Sequence, residues 1–128
     1  MDIRTQVFVQ LRIADRFPTV EETRVRDELA QAIDSTLRQK RLGRFKNAGI
    51  GSGVTNIVFL DVPPPRWNGA VDIILSALSE RRLLDQARVI RAETDWDELD
   101  DPWYDDRDDY LVVWPKDDPR KFQGLYDW

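Results

Sequence analysis

Residues 44–62 read RFKNAGIGSGVTNIVFLDV, and this stretch decides the fold. Its second half, Val54 to Val62, is rich in β-branched and aromatic side chains that suit a pleated, buried strand. Its first half, Arg44 to Gly53, is glycine-rich and turns into that strand, so the pair reads as a β-hairpin. Pro63, Pro64 and Pro65 follow at once. Each lacks an amide donor, so the second strand must stop there.

Outward from the hairpin, the pattern alternates between strand and helix periods. Upstream, Thr5 to Ile13 places Val7, Val9, Leu11 and Ile13 on one parity, the signature of a half-buried strand. Pro18 and Thr19 then open a helix. Thr19-Val20-Glu21-Glu22 fits a capping box, and Val25, Leu29, Ile33 and Leu37 form one apolar stripe. Lys40 and Arg41 favour the negative helix end, and Gly43 is expected to terminate it. Downstream of the prolines, Asn68 is a candidate cap for a second helix carrying Val71, Ile74, Leu75 and Leu78. Gln86 to Ala92 is a fourth strand candidate. The order β-α-β-β-α-β predicts an α+β, ferredoxin-like βαββαβ fold: an antiparallel sheet with two helices on one face.

The same glycines, Gly49, Gly51 and Gly53, invite a phosphate-loop reading. A dinucleotide fingerprint follows a strand and opens a helix, whereas this run precedes a strand and lacks a Gly-Lys-Ser/Thr ending. It reads instead as a hairpin or bulged strand that permits tight packing. The strands raise a second question. Val58 and Leu60 oppose Ile57 and Phe59 in parity, and Phe8 opposes Val7 and Val9. Helices cover one sheet face only, so the C-terminal extension, a second copy of the chain or a partner protein is expected over part of the other.

Composition bounds the chemistry. The 128 residues suit one domain, with 41% hydrophobic and 34% charged residues. Cysteine and histidine are both missing from the sequence. That excludes disulfides, cysteine-ligated zinc, iron–sulfur clusters and histidine-based triads. No apolar run approaches the ~18 residues of a membrane span, and MDIRTQVFVQ lacks the layout of a signal peptide. A cytoplasmic location without membrane contact is the expectation.

The net charge of −5 conceals an asymmetry. Glu93 to Asp109 holds ten acidic residues against one arginine, net −9, which leaves 18 basic and 14 acidic residues over the other 111, net +4. Four of the five tryptophans and all three tyrosines lie at or beyond residue 96. The chain therefore divides into a ferredoxin-like core, 1–93, and an acidic, aromatic C-terminal extension, 94–128, expected to pack on it as one domain. Tyr110 to Pro115 reads as a short extra strand that would dock the extension.

Three readings compete for the acidic segment. Asp95, Asp97 and Glu98 offer oxygen ligands but lack the glycine turn and distal glutamate of an EF-hand, so no metal or cofactor is expected. Paired carboxylates for acid–base catalysis would need an apolar pocket to raise one pKa; without it they repel one another, and no enzymatic activity is expected. The third reading is protein recognition. Asp95, Trp96, Asp97, Asp100, Asp101, Trp103, Tyr104, Asp105, Asp106, Asp108 and Asp109 interleave aromatic anchors with carboxylates suited to a partner with a basic surface. Arg81, Arg82, Arg88 and Arg91 form a basic cluster, yet the aromatics follow the acids rather than the bases, so no nucleic-acid partner is expected.

The run Glu21 to Arg41, Gly49-Ile50-Gly51-Ser52-Gly53, Ile57-Val58-Phe59-Leu60 and Val71 to Leu84 resembles small uncharacterised bacterial proteins of ferredoxin-like fold with a Gly-x-Gly-x-Gly hairpin. Some of these are immunity-type proteins of polymorphic toxin systems. The resemblance covers about two-thirds of the chain and implies an inhibitor that binds a cognate toxin; the acidic extension is not part of it. The leading expectation is a protein-binding inhibitor that occludes a basic active-site cleft. The alternative is a small-molecule-binding or regulatory homodimer without catalytic activity.

Overall fold

The computed structural model describes residues 3–95 and 110–116, with side chains over 5–92 and 111–116. Its elements are β1 (Ile3–Arg12), α1 (Val20–Gln39), β2 (Arg44–Ile50), β3 (Val54–Val62), α2 (Trp67–Glu80), β4 (Ala87–Asp95) and β5 (Tyr110–Trp114). The strands form one sheet in the order β2-β3-β1-β4-β5, with every neighbouring pair antiparallel. The first four strands and two helices make the ferredoxin-like βαββαβ arrangement, and β5 adds a fifth strand beside β4.

Helix α1 forms where the sequence places it. Thr19 Oγ1 accepts from the Glu22 amide at 3.0 Å, and Glu22 Oε1 accepts from the Thr19 amide at 2.9 Å, closing the capping box. Leu29, Ile33 and Leu37 are buried against the sheet with Val7, Val9, Leu11, Ile57, Phe59 and Val89, while Val25 is half-buried. Burial of a side chain of this size is worth about 1.5–3 kcal/mol, so this stripe is what joins the helix layer to the sheet.

The helix ends differ from the sequence expectation. Arg41, not Gly43, takes the left-handed position after α1, with φ 56°. The Leu42 amide donates to Leu37 O at 2.8 Å and the Arg41 amide to Arg38 O at 3.2 Å, the bonding of a Schellman turn. Buried Leu42 lies in the same core as Leu37 and supplies the hydrophobic contact of that turn. Helix α2 ends the same way, with Arg82 at φ 57° and the Leu83 amide donating to Leu78 O at 2.9 Å. Gly43 has another task. A Cβ there would lie 2.8 Å from Leu60 O and 3.1 Å from Val62 Cγ2, at a φ of 132°. Only glycine lets the chain pass this close to β3.

Asn68 does not cap α2. The prolines form a 3-10 turn over Pro64–Arg66, and helix α2 continues directly from it at Trp67. Proline's fixed φ sets a helical course one turn earlier than a side-chain cap would. Trp67, Ala70, Ile74 and Leu78 are its buried face, with Val71 and Leu75 half-buried beside them.

Candidate functional site

Of the recognition residues expected from the sequence, Asp95 is the last residue of β4, paired with Ile3. Trp96, Asp97, Asp100, Asp101, Trp103, Tyr104, Asp105, Asp106, Asp108 and Asp109 lie outside the described residues. The mount of that segment is described. Strand β5 pairs with β4 through Ala92↔Tyr110, Arg91↔Leu111 and Ile90↔Val112, then a bulge, then Val89↔Trp114. The Trp114 indole N–H donates to Leu84 O at 3.0 Å, fixing the far end of the strand. The connection between Asp95 and Tyr110 thus leaves and rejoins neighbouring strands at one end of the sheet. The α1–β2 turn lies at that same end, because α1 runs antiparallel to β1 and β2 starts beside the close of β3.

The sheet face away from the helices carries a pattern that the parity argument found only in part. Phe8, Val58, Leu60, Ile90 and Ala92 form a second apolar cluster, with Val112 of β5 packed against it. A row across three strands is polar instead: Gln10 pairs with Asn56 on one side and Arg88 on the other. All three are buried, Arg88 at 2% exposure, and each makes interactions. Gln6, also fully buried on this face, has neither side-chain amide atom hydrogen-bonded among the described residues. The signal for this row was available: Gln6, Gln10 and Asn56 share the parity of Phe8 and Val58. Period-2 reading treats polar residues as solvent-facing, so it passed over them.

The basic cluster of Arg81, Arg82, Arg88 and Arg91 is not one surface. Strand alternation sends Arg88 into the second face and Arg91 to the helix side, where its guanidinium lies 4.7 Å from the Trp67 ring centroid. Arg81 and Arg82 are exposed at the opposite end, after α2.

The glycine run is a hairpin bend whose polar groups are occupied. The Gly51 amide donates to Val54 O at 3.0 Å and the Gly53 amide to Arg16 O at 3.0 Å. Arg26 Nη1 donates to Thr55 Oγ1 at 2.9 Å, and Thr55 Oγ1 donates to Gly49 O at 3.1 Å. Those two amides, which a phosphate cradle would have to present, are spent within the protein.

Charge at the start of α1 is likewise committed. The Thr19 and Ala14 amides donate to Glu22 and hold its carboxyl below the usual range, while the Arg24 guanidinium does the same for Glu21. Burial lowers the pKa of Lys46. A concavity of about 290 Å³ lies between α1 and α2, lined by Ala32, Thr36, Asp72, Ser76 and Arg81 among others. Among the described residues, no group of three or more carboxylates gathers as a metal site would require, and no helix is long and apolar enough to cross a membrane. No family model, curated protein or solved structure matches this chain.

Proposed function

We propose that this chain acts by binding another protein and inhibiting it, in its sharpest form as a bacterial immunity protein that occludes the basic active-site cleft of a cognate toxin in the cytoplasm. The observation that supports this reading is the placement of the acidic, aromatic segment. Of the ten acidic residues from Glu93 to Asp109, Glu93 and Asp95 close strand β4 and the other eight belong to the connection from β4 to β5, whose two ends are paired strands of one sheet. Anchoring both ends lowers the entropy that ordering a free tail on a partner would cost. Clefts that handle nucleic acid or dinucleotides are basic, and a net charge of −9 over the segment steers such a surface toward it. Inhibition by occlusion calls on no catalytic residue and no cofactor.

The test is association kinetics with the product of the neighbouring gene. Replacing Asp100, Asp101, Asp105 and Asp106 by Asn should slow association and flatten its salt dependence. Trp103→Ala should shorten the lifetime of the complex, at a cost of about 2 kcal/mol or more if it is a hot spot. Unchanged kinetics in both folded variants would remove the segment from the interface.

A further inference from the structure

We propose that the corner where α1 turns into β2 is a binding site for a phosphoryl dianion, presented by Arg38, Arg41 and Arg44. This is independent of the reading above. The three arginines line one open concavity of about 350 Å³ together with Gly43 and Asp61. Two of them are held from behind. Asp34 accepts from Arg38 Nε at 2.9 Å and 3.0 Å, and Asp61 accepts from Arg44 Nε at 2.8 Å. Both carboxylates take the Nε side, which leaves the Nη groups of each guanidinium for another acceptor. Arg41 has no side-chain partner among the described residues.

Backbone conformation converges on the same place. Arg41, Gly43 and Asp61 all have positive φ, at 56°, 132° and 60°. The Schellman turn accounts for Arg41 and the close approach to β3 for Gly43. Asp61 lies within strand β3 at a β-bulge, where the pairing with β1 slips from Thr5↔Val62 to Val7↔Phe59, and the bulge accounts for its left-handed φ. A bulge re-aims the side chain it carries and is common beside functional sites. Here the unusual φ belongs to the residue whose carboxylate holds Arg44.

The chemistry selects the ligand class. Two of the three guanidiniums are neutralised by Asp34 and Asp61, so within the lining Arg41 carries the net positive charge, and it faces both the concavity and the negative end of α1, which opposes an anion. A guanidinium fork matches two oxygens of a phosphate in one plane. Three forks around one concavity suit the three terminal oxygens of a phosphoryl group better than the two of a carboxylate.

The experiment titrates the full chain with inorganic diphosphate at constant ionic strength near 0.15 M, following backbone amide resonances. The amides of Arg41, Gly43, Arg44 and Asp61 should shift and saturate, while equivalent sodium chloride should not move them. Arg41→Ala and Arg44→Lys should each weaken binding about tenfold or more, the worth of a charge-assisted bond. Arg16→Ala, at the other end of the sheet, should leave it unchanged. Asp61→Asn separates positioning from bulk charge. Removing a negative charge would tighten a purely electrostatic contact, whereas a cradle that needs Arg44 held should bind several-fold more weakly. A parallel titration with a thymidine oligonucleotide distinguishes a nucleic-acid backbone from a free phosphate compound as the source. Saturable shifts at the corner, lost in the Arg41 variant, support the site. No shift with 10 mM diphosphate, or tighter binding by the Asp61 variant, overturns it.

Discussion

On the helix-covered face of the sheet, Val7, Val9, Ile57, Phe59 and Val89 present hydrocarbon and the buried polar residues are the small Thr5 and Thr55, whereas on the opposite face Phe8, Val58 and Ile90 share their strands with Gln6, Gln10, Asn56 and Arg88. Both sets are buried to a few per cent or less. The helix face gains from nearly every group it removes from water, the Thr5 hydroxyl, which has no hydrogen-bond partner among the described residues, being the exception. The second face must offset the desolvation of three amides and a guanidinium, each costly unless paired. A polar row inside an otherwise apolar face sacrifices stability and restricts which surface can lie against it.

The comparison breaks most directly by truncation on each side. Leu29→Ala should cost about 2–5 kcal/mol and Phe8→Ala about 3–5 kcal/mol, because both leave a cavity among fully buried neighbours. Urea denaturation reads both. A Phe8→Ala loss under about 1 kcal/mol would mean that the second face contributes little to the folded state.

Gln6→Met asks for the opposite sign. With neither amide atom hydrogen-bonded among the described residues, replacing it by an apolar group of similar length should stabilise the protein by about 1 kcal/mol, raising the urea midpoint. A lower midpoint would show that the amide has a partner the protein depends on.

On the helix side a further cost lies at the helix ends. Arg41→Gly should relieve a left-handed arginine and gain about 0.5–1 kcal/mol, while losing the proposed diphosphate response. A variant both more stable and unresponsive would mark Arg41 as kept for binding. Unchanged or lower stability would mean that the Schellman turn holds arginine without strain.

The smallest effect concerns acid. The Glu22 carboxyl sits below its ordinary range because the Thr19 and Ala14 amides donate to it. Its contribution is therefore present above the unfolded carboxylate value near 4.3 and is lost as the pH falls through the lower folded value. Melting temperature followed from about pH 6 to pH 3 should fall more steeply in the wild type than in Glu22→Gln, which keeps an acceptor but no titration. Parallel curves would mean that the capping box adds nothing that depends on charge.

Some of these features were legible before any coordinates. The Thr19 box, the stripe through Leu29, Ile33 and Leu37, the hairpin over residues 44–62 and the strand from Tyr110 each rest on a local pattern, and each is present. The recognition segment was legible as charge and aromatic content, with no geometry attached. Asn68 misled because a proline turn one step earlier had already set the course of α2. Gly43 misled because glycine after a helix has two uses, and the one realised here depends on Leu60 and Val62, some twenty residues away.

The sequence by itself determined the order of elements, the inward stripe of each helix and the segregation of acid into one segment, because hydrogen bonding within a turn and side-chain periodicity act over a few residues. Tertiary structure alone decided that β5 closes the sheet against β4, and that Arg88 is the one buried in the second face while Arg91 lies over Trp67. It also gathered Arg38, Arg41, Arg44 and Asp61 at one corner. Alternation along one strand is a local pattern, but which strand becomes its neighbour joins residues far apart in the chain, and that choice fixes which side chains meet.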